Sequence, residues 1–89
     1  MPTIHLIIKG RVQGVFYRAS AKQAATELGV TGWVKNTDAG DVEMVATGTD
    51  EQLRKFVEWC NVGPTHAKVV EVVMNNMAEE NFKNFEIKR

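Results

Sequence analysis

The sequence predicts an α+β sandwich, an antiparallel sheet with two helices on one face. Three observations lead there. Apolar residues alternate with period two in several stretches, and recur at helical spacing in two others. The order of these stretches is β-α-β-β-α-β. The 89 residues carry no internal repeat, low-complexity tract or linker, so residues 1–89 form one small domain around one core.

Each element follows from its residues. Ile4, Leu6 and Ile8 alternate against His5, Ile7 and Lys9, which marks a first strand over residues 3–9. Tyr17, Ala21, Ala24, Ala25 and Leu28 recur at helical spacing, and Gly29 stops that helix. Gly32-Trp33-Val34-Lys35 begins a second strand, Asn36-Thr37-Asp38-Ala39-Gly40 is turn chemistry, and Asp41 to Val45 alternates again, giving a hairpin. Thr49 and Gln52 stand at capping-box spacing ahead of a second helix with Leu53, Phe56, Val57 and Cys60 on its apolar face. Gly63-Pro64 ends it. Residues 67–74 form a β-branched strand whose alternation breaks at Val69-Val70 and Val72-Val73, as at a bulge. Phe82, Phe85 and Ile87 suggest a short closing strand. Two helices covering one face of the sheet bury both apolar stripes at once, which is the ferredoxin-like arrangement.

Composition narrows the partners. Eleven basic residues balance eleven acidic ones, which argues against a nucleic-acid or anionic-membrane partner held by a broad basic surface. The first strand carries no aromatic residue, unlike a sheet that stacks RNA bases. A single cysteine, Cys60, allows no intramolecular disulfide, and no signal-peptide pattern or bilayer-length apolar run occurs. The expectation is a cytoplasmic monomer that binds neither nucleic acid nor membrane.

Between the first strand and the first helix lies GRVQGVFYR, residues 10–18. Gly10 and Gly14 bracket Arg11-Val12-Gln13, and glycine opens backbone angles that let successive N–H groups face one anion. Arg18 puts a cation at the positive end of a helix dipole, a cost that a bound phosphate or carboxylate would reverse. A tight packing turn is the simpler account of the glycines alone. The loop lacks the Gly-Lys-Ser/Thr of a Walker loop and the spacing of a dinucleotide turn. Val12 occupies the place where a cysteine phosphatase needs its thiolate, and Cys60 falls on the core face of a helix. If the loop holds phosphate, water is the attacking group.

Residues 10–18 resemble the signature of the acylphosphatase family, Gly-x-Val-Gln-Gly-Val-x-aromatic-Arg. A second family signature is matched by GWVKNTDAGDVEMVATG, residues 32–48, with all spacings intact. The resemblance spans essentially the whole chain; Tyr17 stands where the family more often has phenylalanine. It implies hydrolysis of acyl phosphates to a carboxylate and inorganic phosphate, with no metal and no cofactor. It assigns Arg18 to the phosphate and Asn36 to the attacking water, with Arg11, Val12, Gln13, Gly14 and Val15 supplying the surrounding amides. The runner-up is an anion-sensing or protein-interaction module without turnover. Alone, Asn36 before Thr-Asp-Ala-Gly would be a hairpin turn former. Gln13 is expected to brace its own loop, the Tyr17 hydroxyl to reach loop or solvent, and His5 to face solvent. Neither His5 nor His66 has partners at zinc-ligand spacing.

Overall fold

Alternation in the first strand has the expected consequence: Ile4, Leu6 and Ile8 are buried, while His5 and Ile7 stay half-buried on the opposite face. The computed structural model describes residues 1–88. Its elements in chain order are β1 (Thr3–Arg11), α1 (Tyr17–Leu28), β2 (Thr31–Asn36), β3 (Val42–Thr47), α2 (Asp50–Val62), β4 (Lys68–Met77) and β5 (Phe85–Ile87). They build one five-stranded sheet in the order β4-β1-β3-β2-β5. The first four strands pair antiparallel, which is the ferredoxin-like βαββαβ fold.

The closing strand makes the sheet mixed, because β5 runs parallel to β2, with Gly32 opposite Phe85 and Val34 opposite Ile87. Topology accounts for this. β4 leaves the sheet at the end where β2 begins, so a short return to the far edge starts there and must run in the direction of β2.

Register also locates the break in the β4 pattern. Lys9 pairs with Glu71 and Gly10 with Val69, leaving Val70 as the extra residue of a bulge. Val69 and Val72 therefore both pack on the core although they are three apart, and Val70 turns to solvent. A Cβ on Gly10 would collide with the Lys68 carbonyl oxygen, so the close approach of strands at the bulge requires glycine there.

Tyr17, Ala21 and Ala25 from α1 and Leu53, Phe56 and Cys60 from α2 meet Leu6, Ile8, Val34, Met44 and Ala46 of the sheet in one core. Phe85 seals its far side edge-on against Phe56, with ring centroids 5.6 Å apart. The capping box at α2 is complete: the Thr49 hydroxyl accepts from the Gln52 N–H, and the Gln52 side chain accepts from the Thr49 N–H at 2.8 Å.

Candidate active site

β1 and β2 are each antiparallel to β3, which lies between them, so they point the same way and end at the same end of the sheet. Val42 of β3 pairs with Ile8 on one side and with Asn36 on the other. Ile8 of β1 is therefore level with the last residue of β2, about 10 Å away across one intervening strand, and β1 continues to Arg11 before its loop begins. α1 begins at this same end.

The loop reaches α1 through unusual backbone. Gly14 has φ 73°, and a Cβ there would meet nothing within 4 Å, so backbone angle rather than space selects glycine. Phe16 has φ 64° and ψ 22°, a left-handed conformation that bulky residues avoid. As the N-cap of α1 it supplies no side-chain cap. Among the described residues, no protein acceptor engages the N–H groups of Gly14, Val15, Phe16, Tyr17 or Arg18. Amides left free in this way at a helix start are donors available to an anion.

Arg18 is the second residue of α1. The first turn of α1 has no acidic residue, whereas that of α2 has Asp50 and Glu51. No carboxylate pairs with Arg18 among the described residues. Its guanidinium thus adds to the positive end of the dipole instead of offsetting it. Arg18 and Asn36 line one cleft of about 650 Å³ together with Val12, Gly14, Phe16, Tyr17, Ala19 and Ile87. The Oδ1 atom of Asn36 is buried and accepts no hydrogen bond from the protein. A buried acceptor without a partner costs roughly 1–3 kcal/mol, which marks the Asn36 carboxamide as unusual. The cleft thus joins a cationic, amide-rich wall to a carboxamide.

Not every residue of the predicted loop lines the cleft. Val12 and Gly14 do; Arg11 is the exposed last residue of β1, paired with Lys68, and Val15 packs against the core. Gln13 does not brace its own loop. Its Nε2 donates to the carbonyls of Thr37 at 2.9 Å and Asp41 at 2.8 Å, the two sides of the β2–β3 turn. It ties the loop to the hairpin that carries Asn36.

Two further expectations are corrected. Tyr17 is buried, and its hydroxyl donates to the Cys60 carbonyl at 2.8 Å, so it faces neither loop nor solvent. Cys60 lies in the last turn of α2, where carbonyls lack helical partners, and the phenol supplies one. Burial pushes the Tyr17 pKa far above that of an ordinary phenol, so it remains a neutral donor. His5 is half-buried, with Nε2 2.7 Å from Glu43 Oε2 across the sheet. That hydrogen bond, aided by Lys35, holds the Glu43 carboxyl below the usual range.

The Cys60 thiol is pushed up to about 12 by burial, so it supplies no thiolate at neutral pH. No group of three or more His, Cys, Asp or Glu side chains is arranged to hold a metal among the described residues. Sequence reasoning missed Phe16, Ala19 and Ile87 as parts of the cleft wall. Nothing in the sequence signals the left-handed turn at Phe16, and Ile87 arrives only because β5 pairs with β2.

Comparison with known proteins agrees with this architecture. The sequence model of the acylphosphatase family matches residues 4–87. An acylphosphatase of Marinobacter nauticus is 50% identical over 82 residues, covering 91% of this chain and 89% of that protein. The solved acylphosphatase of Bacillus subtilis superposes with a TM-score of 0.97 at 34% identity, covering all of both chains. That of Coxiella burnetii gives 0.94 at 40% identity, over 98% of this chain and 92% of the other.

Proposed function

Since the chain belongs to the acylphosphatase family and acts as a hydrolase of acyl phosphates, we propose how its cleft divides the work. Arg18 and the loop amides hold the phosphoryl group, and Asn36 presents the water that displaces the carboxylate. The observation that carries this is the meeting of Arg18 and Asn36 in one cleft beside the free amides at the start of α1.

The chemistry asks for little else. The bond from phosphorus to the acyl oxygen breaks as the bond from water oxygen to phosphorus forms. The leaving carboxylate has a conjugate acid of pKa about 4, so it departs without a general acid. Charge on the equatorial phosphoryl oxygens is met by the forked guanidinium and by amides that need no reorganisation. The Asn36 carboxamide hydrogen-bonds the water so that a lone pair of the water oxygen faces phosphorus. The proton lost on attack passes to a phosphoryl oxygen, so the products are a carboxylate and dihydrogen phosphate.

In this scheme the positive charge that a metal supplies in many phosphoryl-transfer enzymes comes from Arg18 and the helix N-terminus. We place this chemistry in a monomer in the cytoplasm, in keeping with zero net charge and one buried thiol. The test is hydrolysis of acetyl and benzoyl phosphate in ¹⁸O-labelled water with a strong chelator. Undiminished turnover with the label in phosphate and none in the carboxylate is expected. Phosphate binding without turnover would leave a sensor, and loss of turnover on chelation would remove the metal-free scheme.

A further inference from the structure

We infer that the protein carries a second binding site, for a nucleoside monophosphate, in the cavity lined by Trp33 and Phe82 at the β2–β5 edge of the sheet. The site is separate from the cleft and does not rest on the chemistry proposed there.

Alternation along β2 buries Gly32 and Val34 and turns Trp33 to the face of the sheet away from the helices. There it stands opposite Val45 on one side and Glu86 on the other. Trp33 and Phe82 are both half-buried, yet neither ring belongs to the hydrophobic core or packs against it. They line instead a cavity of about 290 Å³ between β2, β5 and the segment that joins β4 to β5. That segment is tied to β2 by a hydrogen bond of 3.0 Å from the Gly32 N–H to the Asn84 carbonyl. No residue lines both this cavity and the cleft that holds Arg18.

The polar groups of the wall are uncommitted. Among the described residues no carboxylate pairs with Lys83 or Lys88, and both line the cavity. Against them stands the single carboxylate of Glu86, so the wall is cationic. Asn81 and Asn84 add two side-chain amides that bond to no other described residue. The Lys88 ammonium lies over the Trp33 ring, 4.6 Å from its centroid, so a cation and an aromatic face are already side by side. Such a wall matches a ligand with a flat ring, an anion and a hydrogen-bonding edge. A nucleobase stacks on an aromatic side chain, a phosphate accepts from ammonium groups, and carboxamides pair with the donors and acceptors of a base. The cavity is at the lower end for ligand pockets, roughly 300 Å³, which suits one nucleotide rather than a strand. Zero net charge over the whole chain agrees with that limit.

The test is titration of the ¹⁵N-labelled protein with adenosine monophosphate, followed at the Trp33 indole N–H and at the Asn81 and Asn84 side-chain amides. Saturable shifts at millimolar nucleotide or below are expected, with the same affinity in Arg18→Ala, whose cleft has lost its cation. Adenosine and ribose phosphate each offer half of the ligand, and each should bind roughly tenfold more weakly. Trp33→Ala should weaken nucleotide binding by a similar factor, the scale of one lost stacking surface. Lys83→Gln combined with Lys88→Gln should erase the preference for the nucleotide over adenosine. Both lysines are exposed, so this variant reads the site even where Trp33→Ala lowers stability. Absence of a saturable Trp33 shift, or shifts that vanish in Arg18→Ala, overturns the second site. So does adenosine binding as tightly as the nucleotide, or a lysine variant that keeps the full preference.

Discussion

The Tyr17 hydroxyl shows how a single atom is used. It donates to the Cys60 carbonyl, 43 residues away, in the last turn of α2, and both groups are buried. Tyr17→Phe keeps the ring that packs against Trp59 but leaves that carbonyl unsatisfied. The expected loss is about 1–3 kcal/mol in urea unfolding with an unchanged m-value. A loss below a few tenths of a kcal/mol would mean that the bond is idle. Sequence spacing put Tyr17 on the core face of α1 correctly but gave no view of its hydroxyl, because the partner belongs to another helix. Arg18 was legible for a different reason: a cation at a helix start after two glycines is anomalous without an anion. Phe16 was not legible, since its meaning lies in a backbone angle and not in its residue type.

Elements bring these atoms together, and Gln13 links two of them. Its amide spans the carbonyls of Thr37 and Asp41, so the β1–α1 loop and the β2–β3 turn hold a fixed separation. Gln13→Leu removes both bonds and frees the hairpin that carries Asn36. The expected result is a kcat lower by roughly tenfold to a hundredfold, the cost of small misplacement, with inhibition by phosphate changed far less. Equal loss of both would assign Gln13 to general stability instead. Across the outer face of the sheet, the His5 hydrogen bond depresses the folded-state pKa of Glu43. A depressed carboxyl stabilises the fold above its unfolded pKa, and that stabilisation disappears as pH falls through the folded value. Wild type should therefore lose Tm more steeply than Glu43→Gln as pH drops from about 5 to 3; parallel curves would show the pair to be neutral. Strand alternation and the Thr49 capping box made the element order readable. The pairing of β5 and the position of the bulge were not, because both are fixed by strands far apart in sequence.

At the scale of the whole molecule, the fold does one thing for catalysis. Its strand order makes β1, β2 and β5 end together, so a loop, a hairpin and the C-terminal strand share one cleft. Ligand that binds only this assembled end must stabilise the entire domain through mass action. The sequence could announce the two signatures but not their juxtaposition, which depends on β3 inserting between β1 and β2. That juxtaposition is the central claim, and a paired kinetic measurement tests it most directly: kcat for benzoyl phosphate and the inhibition constant of inorganic phosphate, in Asn36→Ala and in Arg18→Ala. Asn36→Ala should lose on the order of 10²–10³ in kcat, the cost of one missing polar group at the transition state, while phosphate inhibits it nearly as well as wild type. Arg18→Ala should lose both. An Asn36→Ala enzyme with near-normal kcat, or an Arg18→Ala enzyme that still binds phosphate normally, would contradict the account.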